Sequence, residues 1–302
     1  MTDTVARASV NGIEIAYETF GRSDHPAMLL VMGLGTQMLA WPDEFCEALA
    51  DRNYYVVRFD NRDVGLSTHL DAHPAPSLRD MLLRRNIAYT IADMATDALG
   101  LLDALGLPAA HVVGASMGGF IAQTLALRAP EKVLSLTLMM TSTGSRRVGQ
   151  AHPKLYSRLL RRRPIQDREA AGAAAVETWR LIGSPGFDFD EAHLRDLGGR
   201  SFDRRYDPSG YLRQLAAVNA QPNRTRDLAH LAVPCVVLHG LHDPLVAASG
   251  GLALARTIPG ARFVGYAGMG HDLPRALWPQ FVEEIVSAAT RNRHAGSAPQ
   301  LA

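Results

Sequence analysis

The sequence is poor in cysteine, with only Cys46 and Cys235 among its 302 residues. Cys46 falls in a predicted helix and Cys235 inside an apolar predicted strand, and neither belongs to a metal-ligand spacing. Two isolated cysteines do not form the disulfide framework of a small secreted protein. We therefore expect two buried thiols, no metal site and a cytoplasmic protein. The alternative is that one of the two is a reactive thiol.

Long apolar runs and an excess of charge are also missing. No apolar run reaches the roughly 20 residues that a membrane-spanning helix needs. The first residues lack the charged start and the apolar stretch of a signal peptide. The formal net charge is +1, which gives no reason to expect a nucleic-acid partner. We expect no stable membrane insertion either.

What the sequence does contain is an alternation of strand and helix patterns. Asn11-Gly12 is a tight-turn signal between alternating flanks and predicts a hairpin over 8–19. Apolar runs and helical periodicity predict the other elements: strands at 27–32, 54–59, 110–113, 133–140, 234–240 and 262–266, and helices at 36–50, 90–105, 120–129, 247–257 and 274–290. This alternation is typical of βαβ units, so we predict an α/β fold with a mostly parallel sheet flanked by helices.

The alternation stops at about residue 142, and the pattern from 144 to 225 is wholly helical. Helices are predicted near 152–162, 166–182, 189–200 and 208–219. Because strand patterns resume at 234, we predict a discontinuous core over 1–143 and 226–291, with a helical cap or lid inserted at 144–225. Residues 292–302 are rich in Ala, Ser, Pro and Gln, and we expect them to be disordered.

The predicted cap differs in charge from the core. It holds fourteen Arg and one Lys against nine acidic residues, a net charge of +6. Part of this excess is the run Arg158, Arg161, Arg162 and Arg163. Such a run is typical of a solvated helix face. The alternative is a basic lid that contacts an anionic substrate or an anionic lipid surface.

The centre of the sequence carries Gly114-Ala-Ser116-Met-Gly118, a G-x-S-x-G match. A β-rich run precedes it and a helix-forming run follows it. This context is that of a nucleophile elbow, a sharp strand-to-helix turn that exposes the serine hydroxyl. We therefore predict that Ser116 is a nucleophile; the alternative is that Ser116 only caps the helix.

Two further residues meet the needs of an activated serine, which are a base and an acid that orients the base. Asp243 follows the predicted strand at 234–240, and His271 follows the one at 262–266. Functional residues of an open α/β sheet gather beyond the carboxyl ends of its strands, and the order Ser, Asp, His is that of the nucleophile-elbow fold. Three rival residues fit less well. His239 lies within a strand, the side chain of His242 should point away, and Asp272 adjoins His271 directly.

An oxyanion hole needs backbone N–H groups aimed at the developing negative charge. Met117, which follows the nucleophile, is expected to supply one, and Leu34, between Gly33 and Gly35, the other. Large apolar residues near the same strand ends are predicted to line a substrate pocket, although methionine is more often core filler: Met38, Trp41 and Met140.

From about residue 8 to 291 the chain resembles the α/β-hydrolase fold family. The matching segments are Gly114–Gly118, Asp60-Asn-Arg-Asp-Val-Gly-Leu-Ser67, His239-Gly-Leu-His-Asp243 and Gly270-His271. The resemblance implies that Ser116 is the nucleophile, Asp243 the acid and His271 the base. The family commonly has His-Gly after its third strand, where this chain has Met32-Gly33. The backbone donor role survives that change, whereas the side-chain anchoring of the loop is not carried over.

Within the family, segments 32–35, 41–45 and 58–68 look most like the aclacinomycin methylesterase type, which hydrolyses a methyl ester on a polyketide glycoside. The resemblance implies a carboxylic ester hydrolase acting on a small-molecule ester without cofactor or metal, a methylesterase or small-ester carboxylesterase. Haloalkane dehalogenase and epoxide hydrolase chemistry is excluded, because it needs a carboxylate where this chain has Ser116. Lipase or phospholipase, thioesterase, carbon–carbon bond hydrolase and cofactor-free perhydrolase activities stay open, as does a non-catalytic receptor on the same fold.

Overall fold

The computed structural model describes residues 5–153, 155 and 165–295. Among these residues, eight strands make one sheet: β1 Ala6–Val10, β2 Ile13–Phe20, β3 Ala27–Val31, β4 Tyr55–Phe59, β5 Ala110–Ala115, β6 Val133–Met139, β7 Cys235–Gly240 and β8 Arg262–Tyr266. Their order across the sheet is β1-β2-β4-β3-β5-β6-β7-β8. β2 pairs antiparallel with β1 and β4, and all other neighbours are parallel. The predicted α/β fold with a mostly parallel sheet is confirmed.

From β3 onward at least one helix follows each strand, and several helices lie between β6 and β7. The helices of the described residues are α1 Asp43–Ala50, α2 Leu78–Leu83, α3 Ile91–Ala104, α4 Met117–Arg128, α5 Arg168–Ile182, α6 Glu191–Arg204, α7 Pro208–Ala220, α8 Thr225–Leu228, α9 Ser249–Thr257 and α10 Trp278–Ala295. None of them has both the length and the apolar character needed to cross a bilayer. The backbone of α10 continues to Ala295, into the tail predicted to be disordered, and 296–302 lie outside the described residues.

The sheet is covered on both faces. Alternate residues of β3 point to opposite sides, with Leu29 and Val31 in one apolar cluster and Met28 and Leu30 in the other. The first cluster joins the sheet to α3, α4 and α9, and the second joins it to α1 and α10. Every residue of β3 and β5 is buried, which explains why these strands are continuous apolar runs in the sequence.

The structure differs from the predicted elements in the start of α1 and in two short helices that were not predicted, α2 and α8. The helix predicted from 36 begins only at Asp43, after a short 3₁₀ turn at Met38–Ala40. Pro42 explains the difference, because a proline disfavours helical angles in the residue before it, and Trp41 is extended. Helix α2 was not predicted; it is short, and its Ser77–Asp80 capping box follows a Pro-rich stretch that reads as a loop.

Helices α5, α6 and α7 lie in the segment between β6 and β7, as the sequence predicts, and α5 packs closely against α6. The helix predicted at 152–162 falls almost wholly outside the described residues. Whether 144–225 acts as a separate cap or lid stays a prediction.

Candidate active site

Ser116 lies on a tight turn between β5 and α4. Its backbone has φ 55° and ψ −118°, a conformation that costs a non-glycine residue energy and is found at functional turns. Only a glycine fits at 118, since a Cβ there would lie 2.0 Å from the carbonyl oxygen of Val31. The Ser116 side chain makes no capping hydrogen bond to α4, so its hydroxyl is free for another partner.

That partner is His271. Its Nε2 lies 3.0 Å from Ser116 Oγ, and its Nδ1 lies 2.7 Å from Asp243 Oδ2. The other carboxylate oxygen of Asp243 accepts the N–H groups of Leu245 and Val246, both at 2.8 Å. A carboxylate beside Nδ1 favours the tautomer protonated at Nδ1, which leaves Nε2 able to accept the serine proton. The structure thus brings together the three predicted residues; their catalytic roles stay predictions.

The rival residues all have other partners. His239 Nε2 donates to the carbonyl oxygen of Val246 at 2.8 Å, and burial lowers the pKa of His239, which keeps its imidazole neutral. Exposed His242 accepts the N–H of Gly268 through Nδ1. The carboxylate of Asp272 hydrogen-bonds to the N–H and the hydroxyl of Ser184.

The two predicted oxyanion donors follow β3 and Ser116. Neither the N–H of Leu34 nor that of Met117 donates a hydrogen bond within the described part of the chain. The loop of Leu34 lies against the nucleophile, because a Cβ on Gly33 would be 3.2 Å from Ser116 Cβ. Both amides are therefore available beside the hydroxyl, and their role as an oxyanion hole stays a prediction.

The three residues predicted to line a pocket are almost completely buried. Met38 and Trp41 have no exposed surface and Met140 has 3%. Trp41 stacks on Phe45 at 5.7 Å between ring centroids and belongs to the apolar cluster that packs α1 and α10 against the sheet. This burial is that of core residues, and their pocket role stays a prediction.

Buried polar residues after β4 support the loop that carries Leu34. Asp60 Oδ1 accepts the N–H of Met38 at 2.8 Å, and its Oδ2 accepts from Leu66 N–H and Arg204. Asn61 Nδ2 donates to the carbonyl oxygen of Met32 at 3.0 Å. Sequence analysis identified the segment 60–67 only by its resemblance to the family, because the residues that Asp60 and Asn61 contact are distant along the chain.

The turn between α5 and α6 contacts the histidine loop directly. His271 N–H donates to Ile182 O at 2.7 Å, and Gly270 N–H to Ser184 Oγ at 2.9 Å. Ser184 also hydrogen-bonds to the carboxylate of Asp272 through its N–H and its hydroxyl. Sequence reasoning missed Ser184, and no local pattern could have revealed it.

One group of side chains has the composition of a metal site. Donor atoms of Asp63, His69 and Asp207 lie within 4.8 Å of one another. Arg213 hydrogen-bonds to both carboxylates, at 2.7 and 2.8 Å to Asp63 and 3.2 Å to Asp207. Its guanidinium already supplies the positive charge that this group needs, so the arrangement is that of a buried ion-pair network.

The arginines of the inserted segment between 168 and 213 pair with acidic residues: Arg168, Arg180, Arg195, Arg200, Arg204, Arg205 and Arg213. Five of these arginine side chains are exposed, as on an ordinary helix face, whereas Arg204 and Arg213 pair with the buried Asp60 and Asp63. The run Arg158, Arg161, Arg162 and Arg163 lies outside the described residues, and contact of a basic lid with an anionic partner stays a prediction.

The chain is similar to known proteins in sequence and in fold. The chain is 34% identical over 284 residues to rhodomycin D methylesterase DauP of Streptomyces sp. (strain C5), covering 86% of this chain and 89% of that protein. It is 27% identical over 253 residues to 3-oxoadipate enol-lactonase 2 of Acinetobacter baylyi, covering 82% of each. The solved enol-lactonase of Burkholderia xenovorans LB400 superposes with a TM-score of 0.70 at 24% identity, over 94% of this chain and 100% of that one. Residues 26–274 match the alpha/beta hydrolase fold, and the chain belongs to the α/β-hydrolase family.

Proposed function

We propose that the protein hydrolyses a carboxylic ester through an acyl-enzyme, with Ser116 as nucleophile, His271 as general base and Asp243 as its orienting acid. The observation that carries the proposal is the unbroken line of hydrogen bonds from Ser116 Oγ through the His271 ring to Asp243 Oδ2, at 3.0 and 2.7 Å. A serine hydroxyl is weakly nucleophilic unless a base takes its proton, and this line provides that base.

The first half of the reaction acylates the serine. His271 Nε2 removes the Ser116 proton while Oγ attacks the ester carbonyl carbon, and the carbonyl oxygen becomes an oxyanion. The N–H groups of Leu34 and Met117 donate to that oxyanion; one such donor is typically worth about 3 kcal/mol of activation free energy. His271 then gives its proton to the alkoxy oxygen, the carbon–oxygen bond breaks and the alcohol leaves.

The second half releases the acid. His271 takes a proton from a water molecule, whose oxygen attacks the acyl carbon and forms a second oxyanion at the same donors. Collapse of this intermediate returns the proton from His271 to Ser116 Oγ and frees the carboxylic acid. Asp243 stabilises the charged imidazole in both halves. None of these steps needs a cofactor.

A methyl ester of a large organic acid is the favoured substrate class. The chain is 34% and 32% identical over 284 residues to two rhodomycin D methylesterases, from Streptomyces sp. (strain C5) and Streptomyces peucetius. A lactone is the second candidate, favoured by the similarity to the Acinetobacter baylyi enol-lactonase at 27% identity. Both substrates present an ester carbonyl to the same three residues.

A substrate panel with purified protein tests the proposal. It comprises p-nitrophenyl acetate, methyl, ethyl and butyl esters of one aromatic acid, a lactone, an acyl thioester and phosphatidylcholine vesicles, each followed by acid release. We expect turnover of the methyl ester to exceed that of the butyl ester and the phospholipid. Ser116→Ala should lower kcat by at least about 10⁴-fold, whereas Ser287→Ala, an exposed serine of α10, should leave it unchanged. Wild-type turnover in Ser116→Ala would contradict the proposal.

A further inference from the structure

The turn that carries Leu34 is held by a side chain from the inserted helical segment. Gln214, on α7, accepts the N–H of Gly35 through Oε1 at 2.7 Å. Its Nε2 donates to the carbonyl oxygen of Arg62 at 2.7 Å. Gln214 has no exposed surface, although Gly35 itself is exposed. Breaking either hydrogen bond therefore leaves a buried polar atom of the Gln214 amide unsatisfied.

The other end of this bridge is rigid. Arg62 makes two hydrogen bonds of 2.6 Å to the carboxylate of Asp97. The next residue, Asp63, is paired with Arg213, the neighbour of Gln214 on α7. Gln214 therefore links the turn at Gly35 to the loop of Arg62 and Asp63, which these ion pairs hold in place.

Asn61 holds the carbonyl oxygen of Met32 before the turn, and Asp60 holds the N–H of Met38 after it. The remaining hydrogen bonds within Gly33–Thr36 are internal to the turn. Thr36 N–H donates to Gly33 O at 3.4 Å, and Thr36 Oγ1 donates to Leu34 O at 3.1 Å. Both bonds join atoms of the turn to each other, so they shape it without locating it relative to Ser116.

Tyr211 adds a steric limit one helical turn before Gln214. A Cβ on Gly35 would lie 2.4 Å from a Tyr211 ring carbon, and Gly35 has φ +63°, where a side chain is strained. Helix α7 thus presses a ring onto Gly35 while the Gln214 amide holds its N–H. The N–H of Leu34, which donates no hydrogen bond within the described residues, belongs to the peptide group just before that of the Gly35 N–H.

We propose that Gln214 is a positioning residue for the oxyanion hole, which orients the Gly33–Thr36 turn so that the Leu34 N–H faces the reacting carbonyl oxygen beside Ser116. The inference rests on the proposed function. In this proposal helix α7 anchors the loop that begins with Met32-Gly33, where the family commonly has His-Gly.

The test compares Gln214→Met with Gln123→Met, using p-nitrophenyl acetate and a methyl ester. Gln123 is an equally buried glutamine on α4 that donates to Ser142 O at 2.9 Å and does not contact the turn. Misplacing one oxyanion donor should cost less than deleting it, which typically lowers kcat 10²–10³-fold. We expect Gln214→Met to lower kcat roughly 10- to 100-fold with KM changed less than about threefold, and Gln123→Met to change neither beyond about threefold while both lower Tm.

Gln214→Glu gives a readout that a merely structural role would not produce. A protonated Glu accepts from Gly35 and donates to Arg62 O, as the amide does, whereas an ionised Glu repels that carbonyl oxygen. We expect the ratio of the variant's kcat to the wild-type kcat to rise as pH falls, and the same ratio for Gln214→Met to stay flat. This pH series also decides the question if Gln214→Met does not fold, which circular dichroism would reveal.

The inference is overturned if Gln214→Met keeps kcat within the range of Gln123→Met, or if the kcat ratio of Gln214→Glu does not change with pH. A Ser116→Ala arm separates this failure from failure of the proposed function. An inactive Ser116→Ala beside a fully active Gln214→Met would leave the function standing and remove only the role of Gln214. An active Ser116→Ala would remove both.

Discussion

The main-chain N–H of His271 donates to the carbonyl oxygen of Ile182 at 2.7 Å. The loop of the candidate base is thereby tied to the end of α5, just as the loop of a candidate oxyanion donor is tied to α7 through Gln214. A lid that opened by lifting these helices as a unit would pull on both loops. The described part of the inserted segment is therefore hydrogen-bonded to both loops of the candidate site.

The first prediction concerns Ser184, which holds the histidine loop through Gly270 and Asp272. Ser184→Ala removes the hydroxyl from both hydrogen bonds, each worth about 1 kcal/mol, and loosens the His271 loop. We expect kcat to fall about three- to tenfold with KM little changed, measured by steady-state kinetics. The control is Ser77→Ala, which deletes the capping box of α2 and should lower Tm without changing kcat. Equal kcat values for the two variants would refute the role of Ser184.

The second prediction concerns Asp243. In Asp243→Asn the amide oxygen can still accept the N–H groups of Leu245 and Val246, now bound at 2.8 Å, so the fold should survive. The amide NH₂ then faces His271 Nδ1, which favours the tautomer protonated at Nε2, and this tautomer cannot accept the Ser116 proton. We expect kcat to fall about 10⁴-fold.

The matched control for Asp243→Asn is Asp272→Asn, which alters a half-buried carboxylate next to His271 whose hydrogen bonds go to Ser184. Its kcat should fall less than about tenfold, because it affects only the position of the loop. Comparable losses in the two variants would contradict the assignment of Asp243 as the acid.

The third prediction concerns the two cysteines, which are free and buried. Burial raises the pKa of each thiol to about 12, and only the thiolate is a strong nucleophile. We expect Ellman's reagent to find no fast-reacting thiol in the folded protein and both thiols after denaturation. One fast thiol in the folded protein would revive the alternative of a reactive cysteine.

The sequence was sufficient for the sheet and for the three residues that meet at its edge. Ser116, Asp243 and His271 each follow a buried strand, and the carboxyl ends of parallel strands share one edge, so local patterns locate all three. Gln214 and Ser184 could not be found in this way. Each bonds to backbone groups far along the chain, at Gly35 and Gly270. Helical periodicity says only that Gln214 faces inward, and Ser184 lies in a turn without a periodic pattern. The start of α1 was misjudged for a local reason, the proline at 42.

The last prediction concerns the stability of the Asp63–Arg213 pair, whose side chains are 0% and 2% exposed. Burial alone would raise the pKa of Asp63, but the hydrogen bonds from Arg213, Tyr89 and Leu70 and the charge of Arg213 together outweigh it and hold the pKa below the ordinary value of 3.8. Because the pKa is lower in the folded state, the ionised pair stabilises the protein above about pH 4, and this contribution is lost as pH falls through the folded-state pKa.

Asp63→Asn tests this linkage, because it leaves the buried Arg213 with Asp207 as its remaining acidic partner. We expect the free energy of unfolding to fall by about 3 kcal/mol near neutral pH, measured by urea denaturation, and the loss to shrink below about pH 4. Asp103→Asn, which breaks the exposed pair with Lys132, should cost no more than about 1 kcal/mol. A loss in Asp63→Asn that stays the same at both pH values would show that packing, and not the charge of Asp63, holds this loop against α7.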